Sequence, residues 1–383
     1  MRVLVIPTWL PRGEDKLMGE YHKEFTNALN KNGIKADMIF IERERISKPL
    51  KYIFASKREI EREKNYDIYI YKKLDERKFG LDREIRSYTK LLDRALGEYL
   101  KTHEKPDVLH AMVTVLAGYA ASVVGKKYGI PVLVTEHAGA LERFFKRDDL
   151  KKYGEFVLKN ATYSTVSNYM KDITLNYTDE CYVLPNQVDT GLFNDIKPAR
   201  KGKTFKLVMT CAIREGKRLD VAFDAISLLI DEGVDIHLDI IGDGFYEEIY
   251  KNDCKNKGLN NHVTFLGRKT KPEIAKIYKT ENALLISSEL ESFAIPGIEA
   301  LAAGLPVIST KCLGPEEYLD KKSGILCEVN DAKDMARAIK EMIKNYDKYS
   351  VPYLKSIASK FSEEAVTSIA KSLYDIAIKK NNE

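Results

Sequence analysis

Short apolar, β-branched runs alternate with longer amphipathic stretches along most of the chain. Val3–Ile6 reads as a strand, and a helix is expected over about Tyr21–Asn32, stopped by Gly33. Ala36–Ile41, Val108–His110, Pro131–Thr135, Thr162–Val166 and Tyr182–Leu184 read as further strands, with a helix over Leu116–Tyr128 ended by Gly129. A turn-rich stretch from Pro185 to Lys203 interrupts the pattern. It restarts with strands at Phe205–Met209, Ile236–Ile241, Val263–Phe265, Ala283–Ile286 and Val307–Ser309, separated by helical patterns. Such alternation predicts an α/β protein of two doubly wound domains, each a parallel sheet covered on both faces, with a cleft between them. The expected domains are residues 1–197 and 198–360. The last helix, about 361–383, is expected to pack back on the first through Ala365, Ile369, Leu373 and Ile376.

Composition narrows the class. With 44% hydrophobic and 31% charged residues, the chain can bury a large core and is neither disordered nor a small disulfide scaffold. Its longest apolar runs are a few residues, far short of the roughly 20 that cross a membrane. Four apolar residues at the N-terminus are too few for a secretion signal. Five cysteines, an odd count without metal-ligand spacing, agree with a reducing compartment, so the expected location is the cytoplasm. The excess positive charge lies in residues 43–101, which hold 17 basic and 11 acidic residues. The same stretch carries Tyr52, Tyr66, Tyr69, Tyr71, Tyr88 and Tyr99. One reading is a basic face for an anionic acceptor, or a peripheral contact with an anionic membrane on its inner face. The other is a solvated helical surface with interleaved ion pairs. The excess is too small for a nucleic-acid footprint, so no nucleic-acid partner is expected.

The stretch that carries chemistry is Ser287–Val307. A buried strand ends in two serines, a loop carries Glu291, and Pro296 stands where a helix begins; Gly304 ends that helix. Free amides of a helix N-terminus at a strand's carboxyl end make an anion site. Carboxylates oppose phosphate, so Glu291 and Glu299 suit sugar hydroxyls, and the pattern suggests a phosphorylated sugar. A helix cap with two solvent-facing glutamates is the alternative.

The segment resembles the Glu-x7-Glu motif of the family-4 retaining glycosyltransferases, which have the GT-B fold of two Rossmann-like domains facing each other across a cleft. The flanks agree: Glu299–Val307, Gly314–Glu317 and Gly324–Leu326 match in type, as do Ile6–Pro11 and Pro185–Asp189. The resemblance implies that Glu291 accepts hydrogen bonds from the donor sugar and that the amides of Ser292, Phe293, Ala294 and Ile295 hold sugar and diphosphate. It implies that Glu299 binds ribose, Lys217 neutralises the diphosphate, and Gly19 lets backbone approach the phosphates. Arg268 would lie by the nucleobase, and His137 would face the sugar near the reacting carbon. In four places the chain departs from the family, one being Arg218, which replaces the glycine usual after the lysine. Ala212 stands where an arginine is usual, leaving Arg214 or Arg218 to supply that charge. Ala294 and Gln187 stand where glycines are usual.

The function implied is transfer of a sugar from a nucleotide-diphosphate donor to a glycan, lipid-linked or small-molecule acceptor, with retention. No cofactor is expected. No metal is expected either, since no Asp-x-Asp occurs and the histidines lack ligand spacing. Two other readings stand beside it: a GT-B nucleotide-sugar epimerase or hydrolase, and a non-catalytic nucleotide-sugar binder. Gly242-Asp243-Gly244 resembles half of a dinucleotide fingerprint but has Glu247 at the third glycine position.

Overall fold

The computed structural model describes residues 1–12, 19–44, 58–139, 145–194 and 202–382. The chain forms two compact units, Met1–Pro185 with Val366–Glu383, and Asn186–Ala365. The boundary expected at residue 197 falls outside the described residues.

The strands of the first unit are β1 (Arg2–Pro7), β2 (Lys35–Glu44), β3 (Glu59–Arg62), β4 (Asp67–Leu74), β5 (Val108–Met112), β6 (Val132–Glu136), β7 (Thr162–Thr165) and β8 (Tyr182–Val183). They form one sheet in the order β3-β4-β2-β1-β5-β6-β7-β8. Every pairing is parallel except that of β3 with β4, an antiparallel edge. Side chains alternate between the two faces: Leu4 and Ile6 join one buried cluster, Val3 and Val5 the other. Both faces are covered, which is why these strands read as unbroken apolar runs. The helix Glu363–Asn382 contributes Val366, Ala370, Leu373 and Tyr374 to the second cluster.

Three expectations need correction. The tyrosines of the basic segment do not form an outer face. Tyr66, Tyr69, Tyr71, Tyr88 and Tyr99 are all buried, while Tyr52 lies outside the described residues. Their rings fill the core, and the hydroxyls of Tyr66, Tyr69, Tyr71 and Tyr99 find partners, as when Tyr99 donates to Asp37 at 2.7 Å. The segment is also not one helical surface, because 59–74 is mostly strand. Glu59 and Glu61 of β3 pair with Arg12 and Lys23 from outside the segment and with Lys72 within it, so its charges are taken up in ion pairs along the sheet edge. Finally, the buried stripe of the last helix runs through Val366, Ala370, Leu373, Tyr374 and Ala377, with Ile369 and Ile376 only flanking it. The Tyr374 hydroxyl meets His110 Nδ1 at 2.8 Å, while His110 Nε2 meets Thr135 at 2.7 Å. Burial holds the His110 imidazole neutral, down to about 3, so this histidine is structural.

The second unit holds β9 (Phe205–Thr210), β10 (Ile236–Ile241), β11 (Val263–Gly267), β12 (Ala283–Ile286), β13 (Val307–Thr310) and β14 (Gly324–Cys327). All are parallel, in the order β11-β10-β9-β12-β13-β14. The order reverses between β9 and β12. Loops leaving the carboxyl ends of those two strands diverge there, and open sheets bind ligands at such a point. Gly242 and Gly244, both at positive φ, press their backbones onto the carbonyls of Cys211 and Ile213, where any Cβ would overlap. The half-fingerprint is thus a packing device that fixes the loop after β9. No helix among the described residues is long and apolar enough to cross a membrane.

Glu281, at the start of β12's approach, is 1% exposed, and burial pushes its carboxyl up to about 7. The folded state therefore holds a proton that the unfolded chain releases at ordinary carboxylate pH. That stability is complete below about pH 4.5 and is lost as pH rises through 7, up to about 3 kcal/mol. Glu281→Gln should match the parent near pH 4.5 and exceed it increasingly toward pH 8 in urea melts. A gap that does not vary with pH would refute the account.

Candidate functional site

At the reversal between β9 and β12 lies a cavity of about 280 Å³. Asn186, the loop Met209–Ala212, Lys217, the segment Leu285–Ser288, Glu291, Ser292 and Ala294–Pro296 line it. Two loops are stitched together to form its mouth. Ser287 Oγ donates to the Lys217 carbonyl at 2.6 Å, and the Glu289 amide donates to the Gly216 carbonyl at 2.9 Å. Lys217 is thereby held over the end of β12, its Nζ 2.5 Å from Glu291 Oε1. Ser288 Oγ donates to the same carboxylate oxygen at 2.6 Å. Burial works against the Lys217 charge, but the facing Glu291 outweighs it and keeps the ammonium above its ordinary range. Burial also pushes the Cys211 thiol up to about 11, so a neutral sulfur lines the wall.

The opposite wall is the N-terminus of the helix Ile295–Ala303. The backbone amides of Ser292, Phe293, Ala294 and Ile295 donate to no protein acceptor among the described residues. Ile295 opens the helix, whereas Ser292, Phe293 and Ala294 belong to the loop that leads into it, and unpaired amides beside the positive end of a helix favour an anion. The preceding loop is held from behind: the Glu291 amide donates to the Cys312 carbonyl at 2.8 Å, and the Gly314 amide to the Glu291 carbonyl at 3.0 Å. Ala294 has φ 63° and ψ 68°, a left-handed conformation that alanine resists and glycine accepts. The requirement for glycine at this position thus has a local physical cause that this chain overrides. Tyr318 donates to the Ala294 carbonyl at 3.0 Å and lies so close to Gly297 that a side chain there would overlap its ring.

Of the residues expected at the site, Lys217, Glu291, Ser292, Ala294 and Ile295 line the cavity. Phe293 does not: its ring is buried against Tyr318 and Phe361, leaving only its amide toward the loop. Glu299 is 2% exposed on the next turn and pairs with Lys271. Arg268 is half-buried after β11. Neither it nor Glu299 lines the cavity. Ala212 does, without supplying charge. Arg218 is committed to Asp220, Glu289 and Asn330, whereas the exposed Arg214 pairs with no carboxylate among the described residues. Lys271, Ser288 and Asn186 escaped sequence reasoning. Ser288 had a visible signal, its place at a strand end. Asn186 stood within the matching stretch Pro185–Asp189 without being assigned to the site, and Lys271 had no signal that a single sequence shows.

Gly19 and His137 belong to the first unit. Gly19, at φ 92°, starts the helix Glu20–Lys31, and a Cβ there would lie 2.5 Å from the Trp9 carbonyl oxygen. His137 follows β6, with the rings of Tyr21 and His22 at 5.2 and 5.3 Å. Before it, buried Glu136 accepts from the Thr114 amide at 2.9 Å, Thr114 Oγ1 at 2.5 Å and the Ala138 amide at 2.8 Å. Burial lifts its carboxyl despite those bonds. The group fixes the backbone on which His137 stands.

Comparison with known proteins agrees with this arrangement. Residues 21–192 match the model of Glycosyltransferase Family 4, and residues 193–355 that of Glycosyl transferases group 1. The chain belongs to glycosyltransferase family 4. An uncharacterized glycosyltransferase of Methanocaldococcus jannaschii is 26% identical over 290 residues, covering 73% of this chain and 78% of that one. Sucrose-phosphate synthase from Thermosynechococcus elongatus superposes with a TM-score of 0.78 at 15% identity, covering 99% of each chain. HepE of Anabaena, in complex with UDP and glucose, gives 0.73 at 15% identity, over 98% of this chain and 100% of that one. These likenesses show the GT-B fold, two Rossmann-like units with parallel sheets.

In this glycosyltransferase, relieving the left-handed alanine is expected to stabilise the empty protein. Ala294→Gly should gain about 0.5–1 kcal/mol in urea unfolding. Gly297→Ala should lose about 1–3 kcal/mol, because its methyl meets Tyr318. The same sign for both would contradict this description of the loop.

Proposed function

We propose that the glycosyltransferase moves a sugar from a nucleotide-diphosphate donor to an acceptor hydroxyl, with retention and without a metal. The observation that carries this reading is the pairing, across one cavity, of the Lys217 ammonium with Ser292, Ala294 and Ile295, whose amides have no protein acceptor among the described residues. Breaking the bond to a nucleotide diphosphate builds negative charge on the leaving oxygen. Fixed amides and a fixed cation stabilise that charge without having to reorganise. Lys217 must leave Glu291 or share it when the diphosphate arrives, and the carboxylate is then free to accept from sugar hydroxyls. Among the cavity residues Glu291 is the single carboxylate. A retaining hydrolase would need two, about 5–5.5 Å apart, so the lining favours transfer over hydrolysis. Retention comes from the family likeness. It agrees with a front-side route, in which the departing phosphate takes the acceptor's proton and no protein nucleophile is required. Glu299 as ribose acceptor, Arg268 beside the nucleobase, Gly19 at the phosphates and His137 at the sugar complete the proposal. Arg214 is the residue we assign to the charge missing at Ala212. The acceptor is a glycan, a lipid-linked sugar or a small molecule, and an anionic membrane on the cytoplasmic side is a proposed peripheral contact.

Thermal melting with UDP, GDP, ADP and their common sugar conjugates, each with EDTA or magnesium, tests the donor. A ligand at 100 times its Kd adds about 2.7 kcal/mol of stability. One nucleotide family should raise the melting temperature equally in EDTA. Dependence on magnesium would refute metal independence, and no shift from any of them would refute the donor class. Lys217→Ala should weaken binding of the diphosphate at least tenfold, or about 1.4 kcal/mol, while sparing the nucleoside. Glu291→Gln should lower kcat with the nucleotide still bound. Unchanged turnover would remove Glu291 from the chemistry.

A further inference from the structure

The second unit opens with Asn186, pinned between Pro185 and Val188, whose amide donates to the Phe361 carbonyl at 2.8 Å. Asn186 is 7% exposed and lines the cavity, yet its Oδ1 is buried with no hydrogen-bond partner among the described residues. A buried carbonyl oxygen without a donor is costly and uncommon, and calls for an explanation. Its apolar companions along the wall, Met209, Leu285 and Ile286, cannot donate to it from their side chains. The neighbouring Gln187 also has an unpartnered amide, but it does not line the cavity and takes no part.

We propose that Asn186 reads the sugar half of the donor, its amide oxygen accepting a hydrogen bond from a hydroxyl of the transferred sugar. An oxygen acceptor repels phosphate, and the diphosphate already has the loop amides and Lys217. A nucleotide sugar donates from its base N–H groups, its ribose and its transferred sugar, and the base and ribose are assigned above to Arg268 and Glu299, neither of which lines this wall. Glu291 is occupied by Lys217 and Ser288 in the empty protein, so Asn186 offers the acceptor that needs no rearrangement. The substrate class is therefore a sugar bearing a free hydroxyl toward this wall, and the residue sets specificity without entering the bond-breaking step. This rests on the nucleotide-sugar reading of the same cavity.

The test is calorimetric titration of the parent, Asn186→Ala and Asn186→Asp with UDP, GDP and ADP, and with UDP-glucose, GDP-mannose and ADP-glucose. For the nucleotide that binds, Asn186→Ala should weaken the sugar conjugate roughly tenfold, the worth of one hydrogen bond, and leave the bare diphosphate unchanged. Asn186→Asp keeps an acceptor oxygen, so its ratio of conjugate to diphosphate affinity should remain that of the parent even as its added charge weakens both. Without ligand, Asn186→Ala should melt no lower than the parent, because it removes an unsatisfied group. Equal loss of conjugate and diphosphate, or no loss of either, overturns the assignment of Asn186 while leaving the donor reading intact. Failure of the parent to bind any of the six overturns the donor reading, and the assignment with it.

Discussion

The second unit is organised around backbone amides, those of Ser292 to Ile295, that have no protein acceptor among the described residues. A loop runs from the carboxyl end of β12 to the helix that starts at Ile295, and its last amides must stay bare for the cavity to attract an anion. Keeping them bare is a constraint on everything nearby. The loop reaches them through a left-handed alanine at 294. The loop packed behind it contains Leu313 at φ 80°, a conformation that a branched side chain rarely takes. Such strain persists only where the surroundings over-determine it. Here they do, through the backbone bonds between 291 and 312–314, the Tyr318 hydroxyl, and Gly314 pressed onto Phe293.

The cation that answers those amides is placed by the same means. Lys217 sits on a short turn that would wander on its own. Gly242 and Gly244 hold the chain before it from one side, and Ser287 and Glu289 hold it from the other. Its charge rests on Glu291, so the cavity is neither strongly basic nor strongly acidic. Arg218, which sequence alone offered as a second cation, is spent bracing the turn against Asp220 and Glu289.

What could be read from the sequence depended on how local the cause was. The parallel strands were legible because burial on both faces leaves apolar runs such as Ala283–Ile286 with no polar alternative. The anion-binding loop was legible because its parts, two serines, a glutamate, a helix-starting proline and a closing glycine, lie within 18 residues of each other. Residues 59–74 were not. Their charges suggested a solvated helix, whereas the glutamates of β3 and the cations of neighbouring segments meet only once the sheet is assembled. The basic segment's tyrosines misled for the same reason, since amphipathic rings suit a surface and a core equally. Glu299 with Lys271, and the cavity face of Asn186, are likewise products of distant chain segments meeting.

The bridge between Val188 and Ser362 has a topological meaning. It clasps the entry and exit of the second unit, which is thus an insertion whose two ends meet. The last helix must find its place beside His110 after a detour through that entire unit. Once the clasp has closed, the detour shrinks from a long loop to a handful of residues. Loop entropy grows with the logarithm of length, so this shortening is worth about 2–3 kcal/mol to the closing of the first unit. A stretch of chain with no chemistry of its own thereby lowers the entropic cost of completing the other unit's core.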